Sequence, residues 1–199
     1  MRAIRGLVLW VTLLFGVLFL TDIGSAHAQM LFDEQVDDTY ETWPAAQPED
    51  VESIDAIITT LYAVISGPRG ELRDWDRFRS LFVPQAHLIP SSLNESGDVE
   101  HNFQTPDQFA DRAGPNFEEA GFFEIETART TERFGHIAHA FSTYDSRRNE
   151  TDVEPFARGI NSIQLLHNGE RWYIVNVFWT AERPDLPLPD RYKSSRPRR

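Results

Sequence analysis

Two asparagines are the polar side chains that this sequence places most suggestively for binding. Asn161 and Asn176 each lie in a run of β-branched and aromatic residues. On the inner face of a sheet they could together hold a carbonyl or hydroxyl group of a ligand, because a few polar groups orient a molecule in a mostly apolar pocket. Mutual hydrogen bonding or a buried water is the alternative, since a buried amide needs partners in any case.

His87 is the best candidate for a general base. An imidazole titrates near neutral pH, and His87 lies in a short apolar run, 86–89, typical of a strand. The alternative is a surface histidine or one held by structural hydrogen bonds. Tyr144 could serve as a phenolic donor at the edge of a pocket, or as a core residue whose hydroxyl reaches solvent.

The pair Asn168-Gly169 predicts the hairpin that must position these groups. It separates two strand-like runs, 159–167 and 170–179, and is the strongest short signal for a two-residue turn. His167 would then face Glu170, and the register would place Trp172 and Phe178 on the same inward face as the two asparagines. The predicted pocket residues are Asn161, Asn176, Tyr144, Trp172 and Phe178.

The remaining elements are predicted from periodicity and end signals. A helix begins at Pro48, carries isoleucines at helical spacing and ends before Gly67-Pro68. Thr105, with Pro106 and Gln108, predicts a capped helix that stops at 113–115. Helices followed by strands indicate an α+β fold. The other predicted elements are a short helix at 72–82, a polar loop at 90–102, and strands at 122–131 and 133–145.

Composition excludes several classes of function. The 199 residues carry a net charge of −12, so nucleic acid and anionic membrane surfaces are disfavoured as partners. With no cysteine, neither thiol catalysis nor a disulfide is available. His136 and His139 would point to opposite faces of a strand, so we expect no metal site. No nucleotide-binding motif occurs either, and we expect no cofactor.

The ends of the chain read as segments outside the folded domain. Residues 1–28 combine two arginines, a short apolar run and Ala26-His27-Ala28, which predicts a signal peptide cleaved after Ala28 and a periplasmic or secreted protein. We expect no membrane attachment after cleavage. Residues 29–47 read as a flexible acidic leader, 48–183 as the domain, and 184–199 as a tail rich in proline and arginine.

Three passages resemble the nuclear transport factor two-like superfamily, in particular its SnoaL-like branch. They are Asp74-Trp-Asp-Arg-Phe-Arg-Ser-Leu-Phe-Val-Pro84, Phe134-Gly-His-Ile-Ala-His-Ala-Phe-Ser-Thr-Tyr144 and Asn168-Gly-Glu-Arg-Trp-Tyr-Ile174. The resemblance implies a cone-shaped fold in which a curved antiparallel sheet wraps N-terminal helices around an apolar pocket. It also implies a homodimer formed through the sheet.

The resemblance does not select a reaction, because members include cyclases, isomerases, dehydratases and domains without catalysis. The strand in which the isomerases place an aspartate base reads Ala86-His-Leu-Ile-Pro-Ser91 here, without a carboxylate. The tyrosine that scytalone dehydratase would have after its second helix is also missing. Both activities are therefore disfavoured.

Two hypotheses follow. In the first, an exported protein binds or converts a small apolar molecule by acid/base chemistry without a cofactor. In the second, a dimeric interaction domain uses the outer face, with Tyr173, Val175 and Val177, as its interface. In that case Phe178, Trp172 and Phe141 would fill the cone. The size of the pocket distinguishes the two.

Overall fold

The computed structural model describes residues 42–193. The predicted signal peptide and most of the predicted leader lie outside these residues. Among the described elements, three helices precede the first strand of a six-stranded sheet, and a fourth lies in the sequence between the second strand and the third. In chain order the elements are α1 (Pro48–Val51), α2 (Ile54–Ile65), α3 (Trp75–Ser80), β1 (Phe82–Leu93), β2 (Val99–His101), α4 (Pro106–Ala120), β3 (Phe123–Phe134), β4 (Ile137–Arg147), β5 (Ala157–His167), β6 (Trp172–Ala181) and a 3₁₀ turn (Asp190–Tyr192).

The first predicted helix is present but divided. Ser53 has an extended backbone and its side chain accepts a hydrogen bond from the Ala56 amide, so it caps α2 and separates it from α1. The isoleucines at helical spacing lie on the buried side of α2, where Ile57 and Ile58 are fully buried. Periodicity therefore identified the face that joins the core.

Helix α4 begins where the sequence predicts and ends later. Thr105 and Gln108 form the expected capping box. The predicted stop at 113–115 is wrong, because the helix continues through Pro115 to Ala120. Phe117 holds the extra turns in place, since its ring stacks on Phe122 with centroids 4.0 Å apart. The exposed side of the helix lets water satisfy the carbonyl that proline leaves without a donor.

The strands form one mixed sheet in the order β2-β1-β6-β5-β4-β3. All pairs are antiparallel except β1 with β6, which are parallel. The α+β class is confirmed, although the sheet is not antiparallel throughout. The predicted strand at 86–89 extends over twelve residues, and the predicted loop at 90–102 contains β2.

The hairpin register differs from the predicted one. His167 pairs with Trp172 around a four-residue loop rather than with Glu170, because Asn168 Oδ1 accepts hydrogen bonds from two loop amides. Val175 is then an extra residue in β6, between the pairs Leu165–Ile174 and Gln164–Asn176. This bulge turns every residue after Val175 to the face opposite to the predicted one.

Both chain ends of the described region contact the domain. The indole of Trp43 donates to the main-chain oxygens of Arg79 and Phe82, at 2.9 and 3.1 Å. After β6, a segment from Arg183 to Tyr192 crosses the convex face of the sheet, and we call it the C-terminal strap. Thr143 Oγ1 donates to the main-chain oxygen of Tyr192 at 2.6 Å, and Leu188 is buried.

Candidate functional site

A cavity of about 460 Å³ lies between α4 and the concave face of the sheet. Helices α2, α3 and α4 supply eight of its sixteen lining residues, which are mostly aromatic or aliphatic but include Arg112 and Asn116, and the strands supply its other polar groups. The strand residues that line it are Leu88, Glu124, Tyr144, Ser146, Asn161, Val177 and Trp179. This volume and mixture of groups are typical of sites for small organic molecules.

Glu124 is the titratable group at the centre of this polar set. Its Oε2 accepts a hydrogen bond from Ser146 Oγ at 2.9 Å, and its Oε1 accepts one from Asn161 Nδ2 at 3.2 Å. Burial raises the pKa of the Glu124 carboxyl to about 7, although these two hydrogen bonds lower it. The carboxyl can therefore release and regain a proton near neutral pH.

Asn161 joins Glu124 to a second carboxylate through a chain of hydrogen bonds. Its Nδ2 also donates to Tyr62 Oη at 3.0 Å, and that hydroxyl lies 2.7 Å from Ser142 Oγ. Ser142 in turn donates to Glu126. Burial raises the pKa of Tyr62, so its hydroxyl keeps its proton at neutral pH. The network fixes the Asn161 amide and with it the orientation of the Glu124 carboxyl.

Tyr144 lines the same cavity and lies directly across β4 and β5 from Gly159. A Cβ at position 159 would lie 2.6 Å from the Tyr144 hydroxyl and 2.3 Å from the main-chain oxygen of Thr180. Glycine is therefore required for the close approach of the strands and the phenol. Burial and the nearby Glu124 raise the pKa of Tyr144, so it remains a hydrogen-bond donor.

The structure brings together only part of the predicted site. Asn161 and Tyr144 line the cavity, as expected. Trp172 is on the predicted face but packs in the core, 3% exposed, with His167 and Arg133 against its ring. Phe178 is on the convex face and lines a different cavity, because the bulge at Val175 reverses its direction.

Asn176 and His87 are also on the convex face. They pair with each other across β1 and β6, and Asn176 pairs with Gln164 rather than with Asn161. The His87 side chain is exposed and packs edge-on against Phe103, with ring centroids 5.8 Å apart. The expectation that the two asparagines face each other is wrong, and the same bulge is the reason.

Glu124 is the residue that the sequence analysis missed. It occurs in Phe123-Glu-Ile-Glu126, where alternation would direct the apolar residues inward and both glutamates to solvent. The structure shows the reverse, with Glu124 in the cavity and Ile125 exposed. No local pattern marks this reversal, because the apolar neighbours that bury Glu124 come from other elements.

Two further requirements of function, for metal binding and for membrane insertion, concern the side chains and the helices of residues 42–193. No group of three or more metal-binding side chains occurs in this part of the chain. None of the helices described is both long enough and apolar enough to cross a bilayer.

Comparisons with known proteins concern the fold. No protein-family model and no curated protein matches the sequence. A protein of unknown function from Nostoc punctiforme with a cystatin-like fold is 12% identical, with 68% of this chain and 92% of that chain covered and a TM-score of 0.50.

Two further solved structures are similar. An NTF2-like protein of unknown function from Silicibacter pomeroyi is 16% identical over 66% of this chain and 94% of that one, with a TM-score of 0.45. A candidate ketosteroid isomerase from Shewanella frigidimarina is 15% identical over 62% and 90%, with a TM-score of 0.42. At such low sequence identities the similarity is one of fold and not of function. Helices enclosed by a curved six-stranded sheet give this chain a cystatin-like fold.

Proposed function

We propose that this protein binds a small, largely apolar molecule in the concave cavity and acts on it by acid/base chemistry without a cofactor. One observation carries the proposal: the Glu124 carboxyl is held in that cavity by Ser146 and Asn161. A carboxyl with a pKa of about 7 in an apolar pocket is suited to exchanging a proton with a bound molecule.

The proposed roles follow from the geometry. Glu124 removes a proton from an acidic C–H or O–H bond of the ligand and later returns it. The Tyr144 hydroxyl, which lines the same cavity, donates a hydrogen bond to the oxygen on which negative charge develops. Asn161 is a positioning residue, because it donates to Glu124 and to Tyr62.

The alternative of a filled cone has less support. It requires Phe178 and Phe141 to occupy the interior, and both line the cavity on the convex face instead. Trp172 lies in the core without lining the concave cavity. The concave space therefore remains open.

Export and dimerisation belong to the same proposal. A cleaved signal peptide would place the domain in the periplasm or outside the cell, as the sequence predicts. The exposed convex face, with Phe178 and Val175, supports a homodimer formed through the sheet. Val177 is excluded from that interface because it is buried against the concave cavity.

The test begins with native mass spectrometry of the purified protein, followed by denaturation. A retained molecule would appear as a mass excess that denaturation removes. That molecule would then be incubated with the protein in deuterated water, and deuterium incorporation or conversion would be measured. We expect Glu124→Gln to abolish the exchange.

Glu132→Gln is the matched control, because Glu132 lies on the same strand, is exposed and does not line the cavity. Equal exchange in the wild type and in Glu124→Gln would contradict the assignment of the base.

A further inference from the structure

Among the described residues that line the concave cavity, Arg112 is the only cation, and it lies on α4. The same helix contributes Ala113, Asn116 and Phe117 to the wall. Arg112 is exposed, whereas Ala113 and Phe117 are half-buried. The guanidinium therefore borders the opening, while the apolar side chains extend inward.

No carboxylate of the described residues pairs with Arg112. On a helix, the side chains that could reach it lie three and four positions away. At those positions are Gln108, Phe109, Pro115 and Asn116, none of which is acidic. The Asn116 amide donates to the main-chain oxygen of Arg112 rather than engaging the guanidinium.

Most other arginines in residues 42–193 are engaged. Arg77 pairs with Asp50 at 2.7 Å, Arg129 with Asp55 at 2.7 Å, and Arg73 donates to the main-chain oxygens of Ile65 and Gly67. An unpaired guanidinium beside a cavity is thus a distinctive feature in a chain with a net charge of −12. Such a chain repels small anions unless a local cation attracts them.

We infer that the ligand is an amphipathic organic acid, whose apolar body occupies the cavity and whose anionic group pairs with Arg112 at its opening. This inference rests on the proposed function, since it names the class of molecule that the same site takes. A guanidinium is well matched to such a group, because its planar donors bind two oxygens of one anion. The apolar body would extend toward Glu124.

Two fluorescent probes that differ by one charged group test the inference. Anilinonaphthalene sulfonate carries an anion, and N-phenylnaphthylamine is the same aromatic body without it. In Arg112→Gln we expect the dissociation constant of the sulfonate to rise about tenfold and that of the neutral amine to change less than twofold, because only the first loses a charge-assisted contact.

Two variants identify the cavity that the probes occupy. Ala113→Phe should fill the concave cavity and abolish binding of both probes, with Ala113→Leu as a smaller replacement if the first variant does not fold. Arg191→Gln removes the same charge beside the convex cavity and should leave both probes unaffected.

The outcomes separate this inference from the proposed function. If Ala113→Phe abolishes binding but Arg112→Gln changes neither probe, the cavity binds small molecules and the organic-acid class is wrong. The same conclusion follows if Arg191→Gln, rather than Arg112→Gln, weakens the sulfonate. If folded Ala113 variants bind both probes as the wild type does, ligand binding in this cavity is itself contradicted.

Discussion

The two faces of the sheet border cavities of similar volume, about 460 Å³ on the concave side and about 550 Å³ on the convex side. The concave cavity contains the half-buried Glu124 carboxyl, which has fixed hydrogen-bond partners. The convex cavity lies between the sheet and the C-terminal strap, and its acid, Glu182, accepts a structural hydrogen bond from the Leu188 amide at 2.9 Å. Volume therefore does not distinguish a candidate active site here, whereas the placement of a titratable group does.

The strap explains why the convex cavity exists. Its anchors are the Thr143 hydroxyl on the Tyr192 main chain and the Phe141 ring, whose centroid is 4.9 Å from that of Tyr192. These contacts hold a proline-rich segment above the sheet without filling the space below it. On the concave side, α4 encloses the space and also brings Arg112 to its opening.

Gly159→Ala should produce the largest effect, because the new Cβ would meet the main chain of β6 and the Tyr144 hydroxyl together. A backbone oxygen at 2.3 Å cannot move aside without separating the strands. We expect the free energy of unfolding, measured by urea denaturation, to fall by about 3 kcal/mol or more.

Gly97→Ala is the control for this variant. Gly97 has a positive φ of 83°, and no atom of the described residues lies within 4 Å of the Cβ that alanine would add. Only conformational strain should therefore lower the free energy of unfolding, by about 1 to 2 kcal/mol. A loss in Gly159→Ala no greater than in Gly97→Ala would show that the strands adjust, and the concave site would then not depend on this contact.

Glu124→Gln should have the next largest effect, and it should depend on pH. The folded chain holds the Glu124 proton up to about pH 7, whereas an ordinary glutamate loses it near 4.5. Between these values the folded state binds more protons, so wild-type stability falls as pH rises, and the loss is complete above pH 7. Because glutamine does not ionise, Glu124→Gln removes this loss of stability, which is on the order of 2 to 3 kcal/mol.

Urea denaturation between pH 4 and pH 8 would measure this change. The stability gain of Glu124→Gln over the wild type should be small at the acid end and reach its full size above pH 7. Glu132→Gln, which changes an exposed glutamate of the same strand, is the control for the loss of a carboxyl. A pH-independent difference for Glu124→Gln would contradict the raised pKa of the carboxyl that distinguishes the concave face.

His87→Ala should have the smallest effect. The side chain is exposed on the convex face, so its removal should change the free energy of unfolding by less than about 0.5 kcal/mol. Binding of N-phenylnaphthylamine in the concave cavity should be unchanged. Weaker binding of the probe would show that His87 contributes to the site and that the two faces of the sheet are coupled.

Sequence patterns identified the elements whose signals are local. The capping box at Thr105 and the helical spacing of the isoleucines in α2 involve residues within one or two turns of each other. The prediction of which face of β5 points inward was also correct, and it placed Asn161 in the interior. Each of these features depends on chemistry that neighbouring residues supply.

The missed features depend on distant contacts. The run Ile174-Val-Asn-Val-Phe-Trp179 carries large apolar residues on both faces, so its sequence does not reveal the extra residue at Val175. Because of that one residue, Asn176 and Phe178 lie on the convex face instead of the predicted concave one. Likewise, α4 passes Pro115 because Phe117 stacks on a ring outside the helix.

The sequence alone determined that this chain forms an α+β domain with a capped helix, an inward-facing Asn161 and a chemistry that uses no thiol. Only the tertiary structure decided which carboxyl enters the cavity. Glu124 has a raised pKa because the helices and the neighbouring strands partly remove it from water. Those residues come from 61 to 179 in the sequence, and this partial desolvation is a property of their assembly.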